Sequence, residues 1–196
     1  MGGERARAIV SQILITCHPE NTWFKTVVQQ YCRKCPDSDK VEVDMFELDE
    51  RLQADTVLVG RLPLCQVLLM NDNRYPWLIL VPVRPDIREF YHLSADDQAQ
   101  LMKESSWVAE KLADNYTADS MNVAALGNVV PQLHVHHVAR HRQDPAWPGP
   151  VWGHSPAVAY GVGQLEQRLH ELKQLLSSHF VDDVSMDDAA ENNIYW

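Results

Sequence analysis

Long apolar runs, cysteines and positive charges are all scarce in this sequence. No stretch approaches the roughly 18 consecutive apolar residues that a membrane-spanning helix needs, so no membrane partner is expected. The four cysteines, Cys17, Cys32, Cys35 and Cys65, are too few to staple 196 residues together, which points to a reducing, cytoplasmic setting. Cys32 and Cys35 have the spacing of half a zinc site, with Cys17 and His18 upstream, but no second pair completes it. Incidental free thiols are therefore the preferred reading. Lys and Arg number 17 against 27 Asp and Glu, a net charge of −10. A phosphate polymer needs a basic face, so a nucleic-acid partner is not expected. One small anion remains compatible, because a local cluster of donors can hold a phosphate on an acidic surface. The first residues, "MGGERARAIVSQILITC", place arginines before apolar residues in the manner of a weak signal peptide. Ser11 and Gln12 interrupt the run and no small-x-small site follows, so secretion is not expected.

What is present suits one domain with a sizeable core: 45% of the residues are hydrophobic, an ordinary share for a globular protein. No internal repeat is visible. Residues 1–40 form a lead-in of uncertain structure, and "KCPDSDK" reads as a loop before the main domain, residues 41–180. "QVLLMND" (Gln66 to Asp72) and "WLILVPV" (Trp77 to Val83) read as strands of a hairpin around "NRYP". Their continuous apolar character predicts cover on both faces. "SADDQAQLMKESSWVAEKLADNY" is a helix pattern, with Ser94 as N-cap, Asp96 and Asp97 in the first turn, and Leu101, Ser105, Val108 and Leu112 on one stripe. Two strands follow, "SMNVAAL" (Ser120 to Leu126) and a histidine-rich one. "QDPAWPGPVWG" is irregular, because prolines and glycines break both periods. "GQLEQRLHELKQLLSSHF" is a second helix with Leu165, Leu169, Leu172 and Leu176 on one face. Residues 181–196 form an acidic, solvated tail. Strands, helix, strands, long loop, helix: the order predicts an antiparallel α+β sheet with the helices on one side.

The informative stretch is "VVPQLHVHHVARHR", Val129 to Arg142, with His134, His136, His137 and His141. Strand side chains alternate faces. Gln132, His134 and His136 then share one face, and Leu133, Val135 and His137 the other. A polar row on an apolar strand costs packing energy unless water or a ligand meets it. Three readings stand open on spacing alone. His134 and His136 are metal ligands, with His141 or His154 as a third. Alternatively, one imidazole is a nucleophile and the other a proton donor. In the third reading, the face is merely polar and exposed.

"VVPQLHVHHVAR" resembles the signature of the histidine triad (HIT) family of nucleotide hydrolases and transferases, in which three histidines alternate with apolar residues. In that register Gln132 stands at the first histidine, His134 at the middle one and His136 at the third, with Arg140 at the closing arginine. "LLMNDNRYPWLILVPVR" is similar to the family's paired strands, where an acidic residue before the turn contacts the nucleotide ribose; Asp72 takes that place. "MNVAALGNVVPQ" is similar to its strand-and-loop approach, with Asn122 as the asparagine and Gly127 and Asn128 in the phosphate loop. The resemblance spans Phe46 to about Phe180. It implies a five-stranded antiparallel sheet with two main helices, a homodimer, and a small-molecule nucleotide as ligand.

It also implies a mechanism. His134 attacks the α-phosphorus of a nucleotide ester, anhydride or phosphoramidate, and water cleaves the nucleotidyl-histidine. A backbone carbonyl ties down its other ring nitrogen. His136 hydrogen-bonds the phosphate or leaving group, while Asn128 and backbone N–H groups near Gly127 hold the non-bridging oxygens. No metal or other cofactor is required. Gln132 departs from the pattern: it can donate and accept hydrogen bonds but cannot change charge. Val129 stands where many relatives carry a serine near the leaving group. His137 replaces an apolar residue and by parity faces the core. Trp147 and Trp152 either close over the ligand or anchor their loop. The alternatives to an enzyme of this type are a nucleotide-binding protein with weak or lost catalysis, and a metal-dependent hydrolase using His134, His136 and His154.

Overall fold

The computed structural model describes residues 46–181. The lead-in, with the Cys32–Cys35 pair, and residues 182–196 of the acidic tail lie outside the described residues. The elements in order are α1 (Glu50–Asp55), β1 (Thr56–Arg61), β2 (Cys65–Met70), β3 (Trp77–Pro82), α2 (Ala95–Tyr116), β4 (Ser120–Ala125), β5 (Val135–Arg140) and α3 (Val162–Leu176). All five strands form one sheet in the order β1-β2-β3-β5-β4, and every neighbouring pair is antiparallel. This is the α+β architecture expected.

The β2–β3 turn is built by Asp72, whose Oδ1 accepts the Arg74 N–H two residues on, as short acidic side chains do in turns. α2 starts at Ser94, whose hydroxyl accepts from the Asp97 N–H at 3.1 Å. It ends at Thr117 in the left-handed region, φ 49°, with the Thr117 N–H returned to the last turn. Leu101, Val108 and Leu112 of α2 and Leu172 and Leu176 of α3 pack on Val67, Leu69, Leu78, Leu80, Val135 and Ala139 of the sheet. Glu104 shares that buried stripe because its carboxylate accepts the Leu64 and Cys65 N–H groups at 2.8 and 3.0 Å, fastening α2 to the β1–β2 turn. Burial, and then Glu104, push the Cys65 thiol pKa far up, so this cysteine is an inert core residue.

The opposite sheet face is covered by α1 and the loop after β5, with Leu52, Trp77, Ile79, Val138, Ala146 and Val151 as a second core. All six residues of β3 are buried, as its unbroken apolar run predicted. Periodicity did not reveal β1 or α1. β1 is an edge strand whose register shifts between Leu58 and Gly60, with Leu58 half exposed, so neither alternation nor a continuous apolar run marks it. A Cβ on Gly60 would lie 2.6 Å from the Phe180 ring, which explains the glycine.

Candidate active site

β5 begins at Val135, later than the histidine pattern suggested, so Gln132 and His134 precede the ladder. The parity nonetheless holds along β5: Val135 and Ala139 pack in the helix-side core and Val138 in the other. His136 pairs with Ile79 of β3 and with Ala124 of β4. The His134 and His136 rings meet edge to face, centroids 4.9 Å apart, at 77°.

Each imidazole has one nitrogen fixed. His134 Nδ1 lies 2.6 Å from the Gln132 carbonyl oxygen. A carbonyl only accepts, so Nδ1 carries a proton, and in the neutral ring Nε2 keeps its lone pair. On His136 the partner is the opposite kind. The Trp77 indole N–H donates to His136 Nδ1 at 3.0 Å. Neither Nε2 has a hydrogen-bond partner among the described residues, and neither is among the sealed, unpartnered atoms, which are Tyr75 Oη, Trp152 Nε1 and Tyr160 Oη. Both nitrogens therefore keep access to solvent although the residues are only 5% and 7% exposed. Burial, reinforced by His134 and then His137, lowers the His136 pKa to about 3, so this ring is neutral at physiological pH.

Trp152 is brought to the pair and Trp147 is not. Trp152 lies edge to face against both Trp77 and His136, at 5.8 and 5.5 Å. Trp147 lies beside the Arg140 guanidinium, 5.8 Å from carbon to ring centroid. Arg140 is itself buried and forks onto Asp144 (Nε to Oδ2 2.7 Å, Nη2 to Oδ1 2.9 Å). It also donates to Asn122 Oδ1 at 2.5 Å and to the Gly149 carbonyl at 3.0 Å. Burial raises the Asp144 pKa, but the Arg140 hydrogen bonds outweigh it and the net shift is downward. This arginine thus bolts β4, β5 and the Pro-rich loop together.

Gln132 does not reach either imidazole through its side chain. Its Oε1 accepts the Asp49 N–H at 2.9 Å and its Nε2 donates to the Glu47 carbonyl at 2.8 Å. Asp72 is buried under Arg74, which forks onto it at 2.8 and 2.6 Å. Burial pushes the Asp72 pKa up and the Arg74 hydrogen bonds pull it down further, leaving it below the usual range. With Arg140 on its oxygen, Asn122 has only its NH2 end without a partner among the described residues. Gly127 and Asn128 lie in an exposed turn between β4 and β5. His137 faces α2, as parity required, with Ser105 2.7 Å from its Nε2. His141 is half-buried and His154 exposed. Among the described residues, no three His, Cys, Asp or Glu side chains converge to hold a metal ion, so His154 does not complete a centre with His134 and His136. A separate open cleft is lined by Asn73, Tyr160, Gln164, Gln167, Arg168 and Glu171 and includes neither histidine of the pair.

Sequence reasoning missed Trp77, Arg74, Asp144 and Ser105. Trp77 read as one more apolar strand residue, and its N–H finds a partner only through β3–β5 register. Asp144 follows Arg140 by four residues, a spacing that signals a contact only on a helix.

The fold and site define a class: a five-stranded α+β domain carrying paired, oppositely tethered imidazoles. The HIT domain model matches residues 51–143. A histidine triad protein from Marinobacter aquaeolei VT8 is 52% identical, covering 69% of this chain and 98% of its own, with a TM-score of 0.67. A histidine triad (HIT) protein from Sinorhizobium meliloti 1021 is 47% identical, covering 67% and 97%, with a TM-score of 0.65. The histidine triad protein blr8122 from Bradyrhizobium japonicum is 45% identical, covering 66% and 97%, with a TM-score of 0.64. No protein of curated function matches the chain. The chain belongs to the histidine triad (HIT) family.

Proposed function

We propose that this protein cleaves a nucleotide at its α-phosphate through a nucleotidyl-histidine. The observation that carries the reading is the His134–His136 pair, rings 4.9 Å apart, with both Nδ1 atoms engaged and both Nε2 atoms free. His134 Nε2 attacks phosphorus, and the bond to the leaving group breaks with its electron pair on the leaving group, which is protonated by solvent. The imidazolium so formed keeps Nδ1–H on the Gln132 carbonyl, which stabilises the new positive charge. Water then attacks phosphorus, the N–P electrons return to Nε2, and the water's proton goes to solvent. His136 Nε2–H donates to a non-bridging or leaving oxygen. The turn at Gly127 and Asn128 supplies further donors, as does the free NH2 of Asn122. Asp72 serves the ribose only through the acceptor capacity that Arg74 leaves. Trp152, against His136, forms a wall of the pocket.

A second reading is a nucleotide-binding protein without turnover. Gln132 favours it, because its amide is committed to Glu47 and Asp49 and contributes nothing directly to the pair. The family's dimer is also proposed here: β4 is an outer strand, with Val123 and Leu126 exposed at 48% and 38%. Light scattering tests it, and a monomer at micromolar concentration counts against it.

The deciding experiment is incubation with adenylated and guanylated esters, anhydrides and phosphoramidates, followed by mass spectrometry of the protein. The hydrolase reading requires a nucleotidyl adduct on the native chain and none on His134→Ala. Tight monophosphate binding with no adduct and no turnover supports the binding protein instead.

A further inference from the structure

We infer that Trp77 is a positioning residue that fixes the tautomer of His136, holding it with the proton on Nε2. His136 then works as a neutral hydrogen-bond donor and not as the acid that protonates the leaving group. The inference deepens the proposed reaction and rests on it for its catalytic consequence, but the tautomer itself does not depend on any activity.

An indole N–H donates and never accepts, so the nitrogen it meets must offer a lone pair. His136 Nδ1 is 3.0 Å from Trp77 Nε1, so a neutral ring carries its proton on Nε2. Protonating Nδ1 would set two N–H groups against each other. The charged form is opposed by this contact and also by burial and the neighbouring imidazoles His134 and His137. Trp77 is only 6% exposed and cannot easily swing away. Tyr75 meets its ring edge to face at 6.4 Å and Trp152 at 5.8 Å. The register sets Trp77 against Val138, so on their shared sheet face it is diagonal to His136, within reach of a long aromatic side chain.

The two imidazoles are thereby set in opposite tautomers by opposite partners. A carbonyl acceptor leaves a lone pair on His134 Nε2, and an indole donor leaves a proton on His136 Nε2. One ring is prepared to attack and its neighbour to hold an oxygen. Giving up the His136 proton would leave an imidazolate in a buried site, so the leaving group must depart without it. The substrate class that follows is a nucleotidyl anhydride, whose phosphate or carboxylate leaves readily as an anion, in preference to an ester of a strongly basic alcohol.

The test is nitrogen-15 NMR of the histidine rings in the native chain and in Trp77→Phe. In the native chain His136 is expected to show the Nε2–H pattern, unchanged from pH 5 to 8. An Nδ1–H pattern, or titration within that range, overturns the inference. In Trp77→Phe the pattern is expected to mix both tautomers and the ring to titrate at higher pH. An unchanged pattern in folded Trp77→Phe overturns the role of Trp77. Replacing Trp77 by 3-benzothienylalanine, which exchanges the N–H for sulfur and preserves the shape, reproduces the Phe result if the bond matters and the native result if only packing does. With a substrate in hand, Trp77→Phe is expected to lower kcat roughly 10- to 100-fold, the scale for removing a group that orients an imidazole, with KM little changed. Absence of any nucleotidyl adduct would remove the reaction but leave the tautomer measurement standing.

Discussion

His137 Nε2 lies 2.7 Å from the Ser105 hydroxyl on α2, and its Nδ1 lies 3.1 Å from the Val135 carbonyl. The carbonyl requires a proton on Nδ1, so Nε2 accepts from Ser105 and the neutral ring is fully satisfied at the centre of the core. Burial lowers its pKa from 6.5 to about 4, against the backbone groups of Val135 and Ser105, which raise it.

A pH dependence of stability follows. The unfolded chain takes up a proton near pH 6.5 and the folded chain resists until about pH 4, so acidification favours unfolding. The contribution is complete above the unfolded pKa and is lost on descending toward the folded one. Between pH 7 and 5 His137 should remove about 2 kcal/mol of stability. His136, with its pKa near 3, acts in the same direction. Urea denaturation at both pH values is expected to show the loss, and His137→Val to reduce it by about half. A pH dependence identical in the two proteins would show that this ring is not the source.

Asp144→Ala should be among the most damaging single changes. It leaves the Arg140 guanidinium, 2% exposed, buried without its carboxylate. Breaking one side of such a pair costs roughly 3–5 kcal/mol. The contrast is Arg142→Ala, which removes an exposed partner of Asp119 at 3.5 Å and should change stability by less than about 1 kcal/mol. Denaturation midpoints for the two variants check the ordering, and equal effects would refute the assignment of Arg140 as the buried bolt.

Gln132→Ala removes two hydrogen bonds to the segment at Glu47 and Asp49. At about 1 kcal/mol each, stability should fall by roughly 2 kcal/mol. The carbonyl that holds His134 Nδ1 belongs to the same residue, so adduct formation should slow by about tenfold as that carbonyl loses its anchor. Stability measured by denaturation and adduct formation followed by mass spectrometry should decline together. A stability loss with an unchanged adduct rate would limit Gln132 to holding the fold.

Much of this was legible in the chain. Period-two alternation sent His136 one way and His137 the other, because strand geometry leaves no third option, and His134, just ahead of the strand, meets His136 edge to face. Ser94 marked the start of α2, and the apolar run of β3 announced cover on both faces. Other features depend on register between distant segments. Gln132 reads as a substitute for a histidine, yet its amide is spent on residues more than 80 positions earlier, a pairing that no local pattern encodes. Glu104 looks like the polar edge of a helix until the β1–β2 turn presents two N–H groups to it.

The adjacency of His136 and His137 gives the connection between β4 and β5 an unusual weight. Adding one residue there would let the strand slide by a single step and reverse its two sides. His137 would then stand where His136 now meets Trp77 and Trp152, with Val135 in the place of His134, and the proposed pair would be reduced to a lone ring. Such a protein would still look histidine-rich to any reader of its letters, while the ring that now meets His134 had been folded into the oil.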